Sequence, residues 1–522
     1  MRGPLAALPA ILIAGALLIA GCSGGTAGGP AAGQASTPAA GSSGGAAAVG
    51  PAGPAPVTIA GYDAQKPRWR SCGGGFRCAR LLVPFDYRRP AWRRFSLPVI
   101  RLPASDPARR IGSLVINPGG PGGSGVGYAR QARSVVSAAA RARFDVVGFD
   151  PRGVGGSVPA IRCLTGPQLD KYFATSDNPA SEAQLAALVT QSKLFVSGCE
   201  QRSSALLPYV GTRNAARDMD VLRAALGDAK LTYLGKSYGT YLGAWYAQLF
   251  PSHVRALVLD GAVNPDASAF SMNVVQAQGF EVALRSFTAD CERRPACPLG
   301  HGAVSAGIAR LQGLLNQTAS KPLVSQVTGQ PANGAMLLYG VAFALYSKTF
   351  WQYLRTGLTS AFAGNGTLMV ELADSLVERG PTGQYSNLMD ANAAVNCIDR
   401  PWPRSLATWR SAAASAAKAA QQFGAQNMWS SLPCAYWPVR AAAPVSLRAP
   451  GAPPILVVGT TRDPATPFRW AQALARDLKS GVLLGWNGDG HTAYLEGSTC
   501  VDSAVDRYLI SLATPRNGMV CP

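Results

Sequence analysis

The sequence predicts an α/β architecture in which a mostly parallel, doubly wound sheet carries an inserted, mainly helical cap. Short apolar runs without polar alternation recur along the chain, a pattern typical of strands buried on both faces. Helical stretches lie between several of these runs, in the order that a parallel sheet with crossover helices requires. The strand pattern stops near residue 266 and resumes at 454. We expect the intervening insertion to cover the carboxyl ends of the strands, where open α/β sheets bind ligands.

Seven apolar runs are interpreted as strands, and no internal repeat is found. The runs are FSLPVIRL (95–102), GSLVIN (112–117), FDVVGFD (144–150), LTYL (231–234), VRALVLDG (254–261), PILVVGT (454–460) and GVLLGW (481–486). Helices are predicted at 212–227, 239–250 and 467–480 between strands, and at 335–358 and 405–424 in the insertion.

The first 22 residues have the pattern of an export signal. Arg2 is followed by an apolar stretch, Leu5 to Ala20, that is short for a membrane span. The stretch ends in IAGC, which resembles a bacterial lipobox with Cys22 as the lipidated residue; ordinary secretory cleavage is the alternative. We therefore expect an exported protein, anchored by lipid to the outer face of the cytoplasmic membrane and in part secreted.

Five segments are predicted along the chain. Residues 23–56 are nearly all Gly, Ala, Ser, Thr and Pro, a composition that cannot bury enough apolar surface to fold and that predicts a tether. The segments are the signal peptide (1–22), the tether (23–56), the first part of the α/β core (57–265), the helical cap (266–445) and the C-terminal part of the core (446–522).

The cysteine content fits an exported protein. Of 11 cysteines, the lipobox takes Cys22, and an even number remains for disulfides. The sequence leaves their connectivity open, but short gaps suggest neighbour pairing: Cys72–Cys78, Cys163–Cys199, Cys291–Cys297, Cys397–Cys434 and Cys500–Cys521. No metal site is expected, because the chain has no C-x-x-C and three histidines in all.

The net charge of +20 comes mostly from arginines that are spread along the chain. A nucleic-acid-binding protein would instead show a basic stripe interleaved with aromatic residues, so no nucleic-acid partner is expected. Weak attraction to anionic lipids or wall polymers is compatible with this charge. The oligomeric state is not indicated.

A candidate nucleophile lies in LTYLGKSYGTYLG, residues 231–243. Ser237 stands in G-K-S-Y-G, which fits the G-x-S-x-G nucleophile elbow, where the serine joins a strand to a helix in a strained turn. Gly235 and Gly239 would be required there because a Cβ would collide with neighbouring backbone. The motif alone also occurs by chance in a chain with 58 glycines.

The order of the chain supplies candidate partners for Ser237. In this fold the acid and then the histidine follow the serine. His491, in WNGDGHTAY after the last predicted strand, is favoured over His253 and His301 as the proton acceptor. Asp463, directly after the run PILVVGTTR, is the favoured acid that would orient the imidazole. The acids not favoured are Asp489, Asp150 and Asp260.

The loop INPGGPGGSG (116–125) is a candidate for half of an oxyanion hole. Its glycines allow the backbone to approach a substrate carbonyl closely. The predicted N–H donors are Tyr238, which follows the nucleophile, and Gly120, with Gly119 as the alternative. No G-K-[ST] follows the loop, which argues against phosphate binding.

Six ordered motifs resemble the tripeptidyl aminopeptidase branch of the prolyl-iminopeptidase-type α/β-hydrolases, in its actinobacterial secreted or cell-envelope form. They are GGPG, GFDPRGVGGS, GKSYGT, VLDGAVNP, TRDPATP and GDGHTAY, and the likeness extends from about residue 60 to the C-terminus. The resemblance implies an α/β-hydrolase fold and a serine hydrolase that cleaves peptides near a free N-terminus, with no cofactor. It also implies an acidic group for the substrate ammonium, for which Asp399 is the candidate and Glu281 the alternative. Thr466 is expected to bond the Asp463 loop.

Two other functions fit parts of this pattern. A carboxylesterase or lipase acting on envelope lipids would use the same triad. A non-enzymatic binding lipoprotein would share the export leader, but it would have no need for serine, acid and histidine in hydrolase order.

Overall fold

The computed structural model describes residues 55–441 and 443–522. The predicted signal peptide, Cys22 and nearly all of the predicted tether lie outside the described residues. The main sheet has the strand order β1-β2-β3-β5-β4-β6-β7-β10-β11-β12. Its strands are β1 (Arg70–Ser71), β2 (Arg77–Pro84), β3 (Arg94–Leu102), β4 (Gly112–Asn117), β5 (Phe144–Phe149), β6 (Leu231–Lys236), β7 (Val254–Asp260), β10 (Ile455–Arg462), β11 (Gly481–Asp489) and β12 (Met519–Cys521); β8 (Leu323–Val324) and β9 (Pro331–Ala332) form a separate hairpin.

Strand direction divides the sheet into two parts. The pairs β1/β2, β2/β3 and β3/β5 are antiparallel. Every pair from β5 through β4, β6, β7, β10 and β11 to β12 is parallel. Parallel strands place their carboxyl ends at one edge, so the loops after β4, β6, β10 and β11 meet there. This is the mostly parallel α/β-hydrolase sheet that the sequence predicts.

Helices cover both faces of the sheet and fill the long insertion. Those outside the insertion are α1 (Ile59–Asp63), α2 (Gly125–Arg130), α3 (Ala132–Val135), α4 (Ala138–Arg143), α5 (Gly166–Ala174), α6 (Glu182–Ser203), α7 (Thr212–Leu226), α8 (Tyr238–Leu249), α17 (Phe468–Asp477) and α18 (Thr499–Ser511). Those between β7 and β10 are α9 (Ala269–Glu292), α10 (Val304–Ser320), α11 (Gly334–Leu345), α12 (Trp351–Phe362), α13 (Thr367–Val377), α14 (Leu388–Asp399), α15 (Leu406–Ala419) and α16 (Gly424–Trp429).

Successive residues of a strand place their side chains in different hydrophobic clusters, one on each face of the sheet. Leu114 and Ile116 of β4 pack in a cluster with α4 and α18, whereas Val115 packs in a cluster with α7 and α8. All three side chains are fully buried. Burial on both faces explains why the sequence shows continuous apolar runs here in place of alternation. The insertion between β7 and β10 has a core of its own, built mainly from α9 to α13.

The helix predicted over 335–358 is interrupted in the structure. α11 ends at Leu345 and α12 begins at Trp351, with a short 3₁₀ turn, Lys348–Phe350, between them. Ser347 is extended and its hydroxyl accepts from the N–H of Thr349. A side-chain oxygen that binds backbone in this way competes with the helix, which explains the break.

Five disulfides join the neighbouring cysteines that the sequence suggested as pairs. They are Cys72–Cys78, Cys163–Cys199, Cys291–Cys297, Cys397–Cys434 and Cys500–Cys521. Cys397 lies in α14 and Cys434 follows α16, so this bridge ties together two parts of the insertion.

A buried ion pair anchors the core near the antiparallel strands. The guanidinium of Arg152 donates to both carboxylate oxygens of Asp218, at 2.5 and 2.8 Å, and to the carbonyls of Pro84, Phe85 and Tyr209. Both side chains are fully buried. Bidentate geometry with the remaining donors satisfied is the arrangement in which such a pair is tolerated inside a protein.

Among residues 55–441 and 443–522, no helix combines the length and the apolar character needed to cross a bilayer.

Candidate functional site

Ser237 lies between β6 and α8 in a strained backbone conformation. Its φ of 57° and ψ of −127° are unusual for a residue with a side chain. Its N–H donates to the carbonyl of Asp260, at 2.9 Å, at the end of the neighbouring β7. A Cβ at Gly235 would come within 2.4 Å of the Gly239 carbonyl, and one at Gly239 within 2.9 Å of Asn117 Oδ1. The glycines of the motif are therefore required by close backbone packing.

Asp463 and His491 form a hydrogen-bonded pair. Asp463 follows β10 and His491 follows β11, so adjacent parallel strands bring them to the same edge. His491 Nδ1 lies 2.9 and 3.0 Å from the two carboxylate oxygens of Asp463. An acid in this position fixes the tautomer that leaves Nε2 free to accept a proton.

Asp463 is held by four further donors. Its Oδ1 accepts from the N–H groups of Ala465 and Thr466, at 2.9 and 2.8 Å, and its Oδ2 accepts from Thr492 N–H at 3.1 Å. The Thr466 hydroxyl donates to Oδ2 at 3.0 Å and lies 3.3 Å from His491 Nδ1. Donors to the charged carboxylate stabilise it in its buried position. As the sequence suggested, Thr466 bonds the loop of Asp463.

His491 Nε2 is buried and makes no hydrogen bond with any residue in the described part of the chain. The imidazole and Ser237 nevertheless adjoin the same short stretch. Ser237 bonds to Asp260, and a Cβ at the next residue, Gly261, would lie 3.3 Å from His491 Cε1. The Ser237–His491 hydrogen bond is not formed in this structure. Such bonds are often long in unliganded enzymes and tighten with substrate.

The elbow and the histidine loop are joined by a buried network that the sequence did not reveal. Lys236 Nζ, next to Ser237 in the chain, donates to the Tyr494 carbonyl at 2.9 Å and to Glu496 at 3.3 Å. Asp260 accepts from the N–H groups of Ala493 and Tyr494, at 2.9 and 3.0 Å. Burial raises the pKa of the Asp260 carboxyl, and the charged lysine and these N–H groups offset part of that effect. The network fixes the chain just after His491 against Ser237.

The glycine-rich loop after β4 packs directly on the elbow. A Cβ at Gly119 would come within 2.6 Å of the Lys236 carbonyl and 2.8 Å of Ser237 Cβ. The Gly119 N–H already donates to Asn117 Oδ1, at 2.9 Å, which removes it as an oxyanion donor. The N–H groups of Gly120 and Tyr238 donate to no group in residues 55–441 and 443–522. An oxyanion hole requires unpaired donors of this kind, one directly after Ser237 in the chain and one in the loop that packs on it.

Tyr346, in the insertion between β7 and β10, contacts His491. The ring of Tyr346 meets the imidazole edge to face, with centroids 5.2 Å apart. The carbonyl of Tyr346 accepts from the His491 N–H at 2.7 Å, and Ser347 bridges to Gly490. The break between α11 and α12 supplies these contacts, because a carbonyl inside a continuous helix would be bonded along the helix.

The remaining candidates occupy structural positions. His253 Nδ1 lies 2.8 Å from Asp220, and His301 contacts backbone carbonyls. Asp489 is bound by Arg462, at 2.7 and 3.2 Å. Asp150 accepts from the Ser124 hydroxyl, at 2.6 Å, and from loop N–H groups.

The two carboxylates considered for the substrate ammonium are both engaged. Asp399 accepts from the N–H and the hydroxyl of Thr212, at the start of α7, and that hydroxyl also contacts the Tyr238 hydroxyl. Burial raises the pKa of Asp399 to about 6. Glu281 accepts from the N–H groups of Gln422 and Phe423, before α16. Asp399 is thus linked to the elbow through Thr212 and Tyr238, whereas Glu281 binds backbone just before α16.

Comparison with known proteins places this site in a family. Residues 417–521 match a family model described as "TAP-like protein". Serine protease Hip1 of Mycobacterium tuberculosis is 39% identical over 464 residues, which cover 86% of this chain and 88% of that protein. The chain belongs to this family of TAP-like α/β-hydrolases.

Two further relatives differ in the activity that their names state. Carboxylesterase B of Mycobacterium tuberculosis is 37% identical over 458 residues, with coverage of 85% of this chain and 86% of the relative. Tripeptidyl aminopeptidase of Streptomyces coelicolor is 33% identical over 467 residues, with coverage of 87% and 85%. This TAP-like protein is therefore a serine hydrolase of the peptidase or esterase kind.

Proposed function

We propose that this TAP-like hydrolase is an exported peptidase that removes short peptides from a free N-terminus through an acyl-enzyme. The observation that carries the proposal is the Asp463–His491 pair beside the strained elbow of Ser237. The names of two relatives, a serine protease and a tripeptidyl aminopeptidase, support peptide over ester substrates.

In the proposed reaction Ser237 Oγ attacks the scissile carbonyl carbon and its proton passes to His491 Nε2. The N–H groups of Tyr238 and Gly120 bind the negative oxygen of the tetrahedral intermediate. The C–N bond then breaks, and the leaving amine takes the proton from His491. Water, deprotonated by His491, attacks the acyl-enzyme, and the proton returns to Ser237 Oγ. Asp463 accepts from Nδ1–H throughout and stabilises the imidazolium.

The test replaces the proposed nucleophile. Ser237→Ala should lose reaction with a fluorophosphonate and lose peptide hydrolysis, while its thermal unfolding stays near that of the wild type. Ser411→Ala is the matched control, because Ser411 is exposed on α15. A Ser237→Ala protein that is still labelled, or that still hydrolyses peptides, would show that another residue is the nucleophile. Absence of labelling in the wild type would favour the binding-protein alternative.

A carboxylesterase is the second candidate, and the relative named Carboxylesterase B favours it. The two functions predict opposite substrate preferences. A peptidase that reads a free N-terminus should cleave tripeptide anilides and spare their N-acetylated forms, whereas an esterase should prefer uncharged acyl esters. Mass spectrometry of the products from a small library of unblocked peptides would show how many residues are released.

The proposed location at the cell envelope depends on Cys22 and the leader before it. If Cys22 carries lipid, Cys22→Ser should move the protein from the membrane fraction to the soluble fraction without changing its specific activity. An unchanged membrane fraction would refute lipid anchoring at this residue. Metabolic labelling with a fatty acid gives an independent measurement.

A further inference from the structure

One face of α11 leads away from the proposed catalytic histidine. Most of the helix is buried. Besides Gly334 at its start, the partly exposed residues lie along one side and just past its end, and we call them the α11 stripe: Ala335, Tyr339, Ala342, Phe343 and Tyr346. Their spacing of three, four and seven residues places them on one helix face. Because Tyr346 contacts the His491 ring, the stripe begins at the site described above.

The other part of the stripe reaches a buried carboxylate. The Tyr339 hydroxyl donates to Asp177 Oδ2. Asp177 lies after α5, in a segment tied to the start of α11 by the bond from Asn333 Nδ2 to the Ala174 carbonyl, at 2.7 Å. Two hydrogen bonds, one from Tyr339 and one from Asn333, therefore hold the segment of Asp177 against α11.

Asp177 forms no ion pair with a cation among the described residues, and the groups that bond to it are neutral. Its side chain is 3% exposed, and its Oδ1 makes no hydrogen bond within the described residues. The Nε2 of nearby Gln426, on α16, is also buried without a bond. Burial raises the pKa of Asp177 to about 7, although Tyr339 and the Gln426 amide partly offset it. A buried carboxylate that faces only neutral donors is costly to ionise, and a bound cation would offset that cost.

The length of the stripe matches a short peptide. Tyr339 and Tyr346 are seven residues apart, which corresponds to about 10 Å along an α-helix. In an extended peptide, the α-amine of the third residue before the scissile bond lies about 10 Å from the scissile carbonyl, at about 3.3–3.6 Å per residue. An acyl chain of three residues thus has the length of the stretch from Tyr346, beside His491, to Tyr339, whose hydroxyl bonds Asp177.

We propose that Asp177 binds the α-ammonium of the substrate and that its distance from the site sets the released product at three residues. The inference deepens the proposed peptidase function and rests on it. The ammonium would pair with Asp177 Oδ1 and accept no proton from the enzyme, while the Tyr339 oxygen offers a second acceptor. Asp399 and Glu281 are less suited to this role, because N–H groups and a hydroxyl of the chain already occupy them.

The test compares variants by the ratio of kcat/KM for a free substrate to kcat/KM for its acetylated form, measured within each protein. The substrates are alanyl anilides of one to four residues, each with a free and with an acetylated N-terminus, and kcat/KM is measured for all of them. In the wild type we expect the free tripeptide anilide to be preferred over its acetylated form by tenfold or more. Asp177→Asn should bring this ratio close to one, and Tyr339→Phe should lower it by a smaller factor.

A matched control keeps the result interpretable. Asp390 is another buried aspartate with one unbonded oxygen and a pKa raised to about 6, but it lines a separate cavity of about 420 Å³ formed with residues 162–169 and 382–386. Asp390→Asn should keep the wild-type ratio. Fluorophosphonate labelling of Ser237 reports whether each variant is folded with an intact site.

Four outcomes would separate the hypotheses. A labelled Asp177→Asn protein that keeps the tenfold preference would overturn the role of Asp177, and loss of the preference in Asp399→Asn would assign the ammonium to Asp399. A wild type that prefers anilides of one, two or four residues would overturn the proposed length. If the wild type cleaves esters but no free-amine peptide, the proposed peptidase function itself fails.

Discussion

Gly119→Ala should disable the site by displacing the glycine-rich loop. The residue has a φ of +96°, and its Cβ would lie 2.6 Å from the Lys236 carbonyl, 2.8 Å from Ser237 Cβ and 3.0 Å from Tyr238 N. Ordinary contacts of a Cβ begin at 3.4 Å, so the loop or the elbow must move by about 0.8 Å. A left-handed conformation costs a further ~1–2 kcal/mol for a residue with a Cβ.

This displacement affects both proposed oxyanion donors, since Gly120 follows Gly119 and Tyr238 N is among the atoms contacted. Loss of one such donor costs about 10²–10³ in kcat, or about 2.7–4 kcal/mol. We therefore expect Gly119→Ala to lower kcat for a free tripeptide anilide by at least about 100-fold. Steady-state kinetics give the magnitude, and the rate of fluorophosphonate labelling, which does not depend on peptide binding, should fall in parallel.

Gly127→Ala is the control for this prediction. Gly127 lies in α2, where the nearest atoms to a Cβ are Ser124 Oγ and Cβ, at 3.3 and 3.4 Å. Alanine is favoured over glycine in a helix by about 1 kcal/mol, so activity and thermal stability should be retained. If a folded Gly119→Ala protein keeps more than about a tenth of the wild-type kcat, the loop does not form the oxyanion hole.

Three further predictions concern other parts of the molecule. Thr466→Val removes the hydroxyl that bonds Asp463 and lies near His491, so kcat should fall about tenfold with little change in KM. Thr466→Ser should restore kcat. An unchanged kcat in Thr466→Val would show that Thr466 only supports the turn. Arg152→Met leaves Asp218 buried without its partner and should destabilise folding by about 3–5 kcal/mol in thermal or denaturant unfolding, whereas Arg152→Met with Asp218→Leu should recover most of the loss. KM for free tripeptides should rise as pH falls below about 7, because Asp177 then takes up a proton and loses its attraction for the ammonium, and it should rise again above the amine pKa of about 8. The ionisable groups facing Asp177, Tyr339 and Tyr172, have raised pKa values and stay neutral in this range, so a pH-independent KM, or the same profile for acetylated substrates, would contradict the assignment.

The sequence revealed the elements whose pattern is local. β4, β6, β7 and β10 are continuous apolar runs, because both faces of the sheet are covered, and such runs can be recognised without knowing their neighbours. β2 was missed because its first half is partly exposed and includes Arg77 and Arg80. β12 has only three residues, Met519–Cys521, too few for a pattern.

The residues of the site likewise divide into those that local sequence indicates and those that only tertiary contacts reveal. Ser237, Asp463 and His491 could be proposed from a motif and from chain order, since few residues competed for each role. Tyr346 could not, because its contact depends on the break in a helix that the apolar pattern predicts to be continuous. Asp177 gave no signal either, since only the folded chain brings it to Tyr339, 162 positions away. Roles that arise from tertiary contacts need the structure.

The bond between the Tyr346 carbonyl and the His491 N–H has a consequence for how substrates enter. Together with the bridge from Ser347 to Gly490, it attaches the insertion to the very loop that presents the imidazole. Any lifting of the insertion at that corner would move His491, the proposed general base, away from Ser237. If the proposed peptidase function holds, we expect peptides to enter from another side of the insertion, because an enzyme opened at this corner would be unable to cleave them.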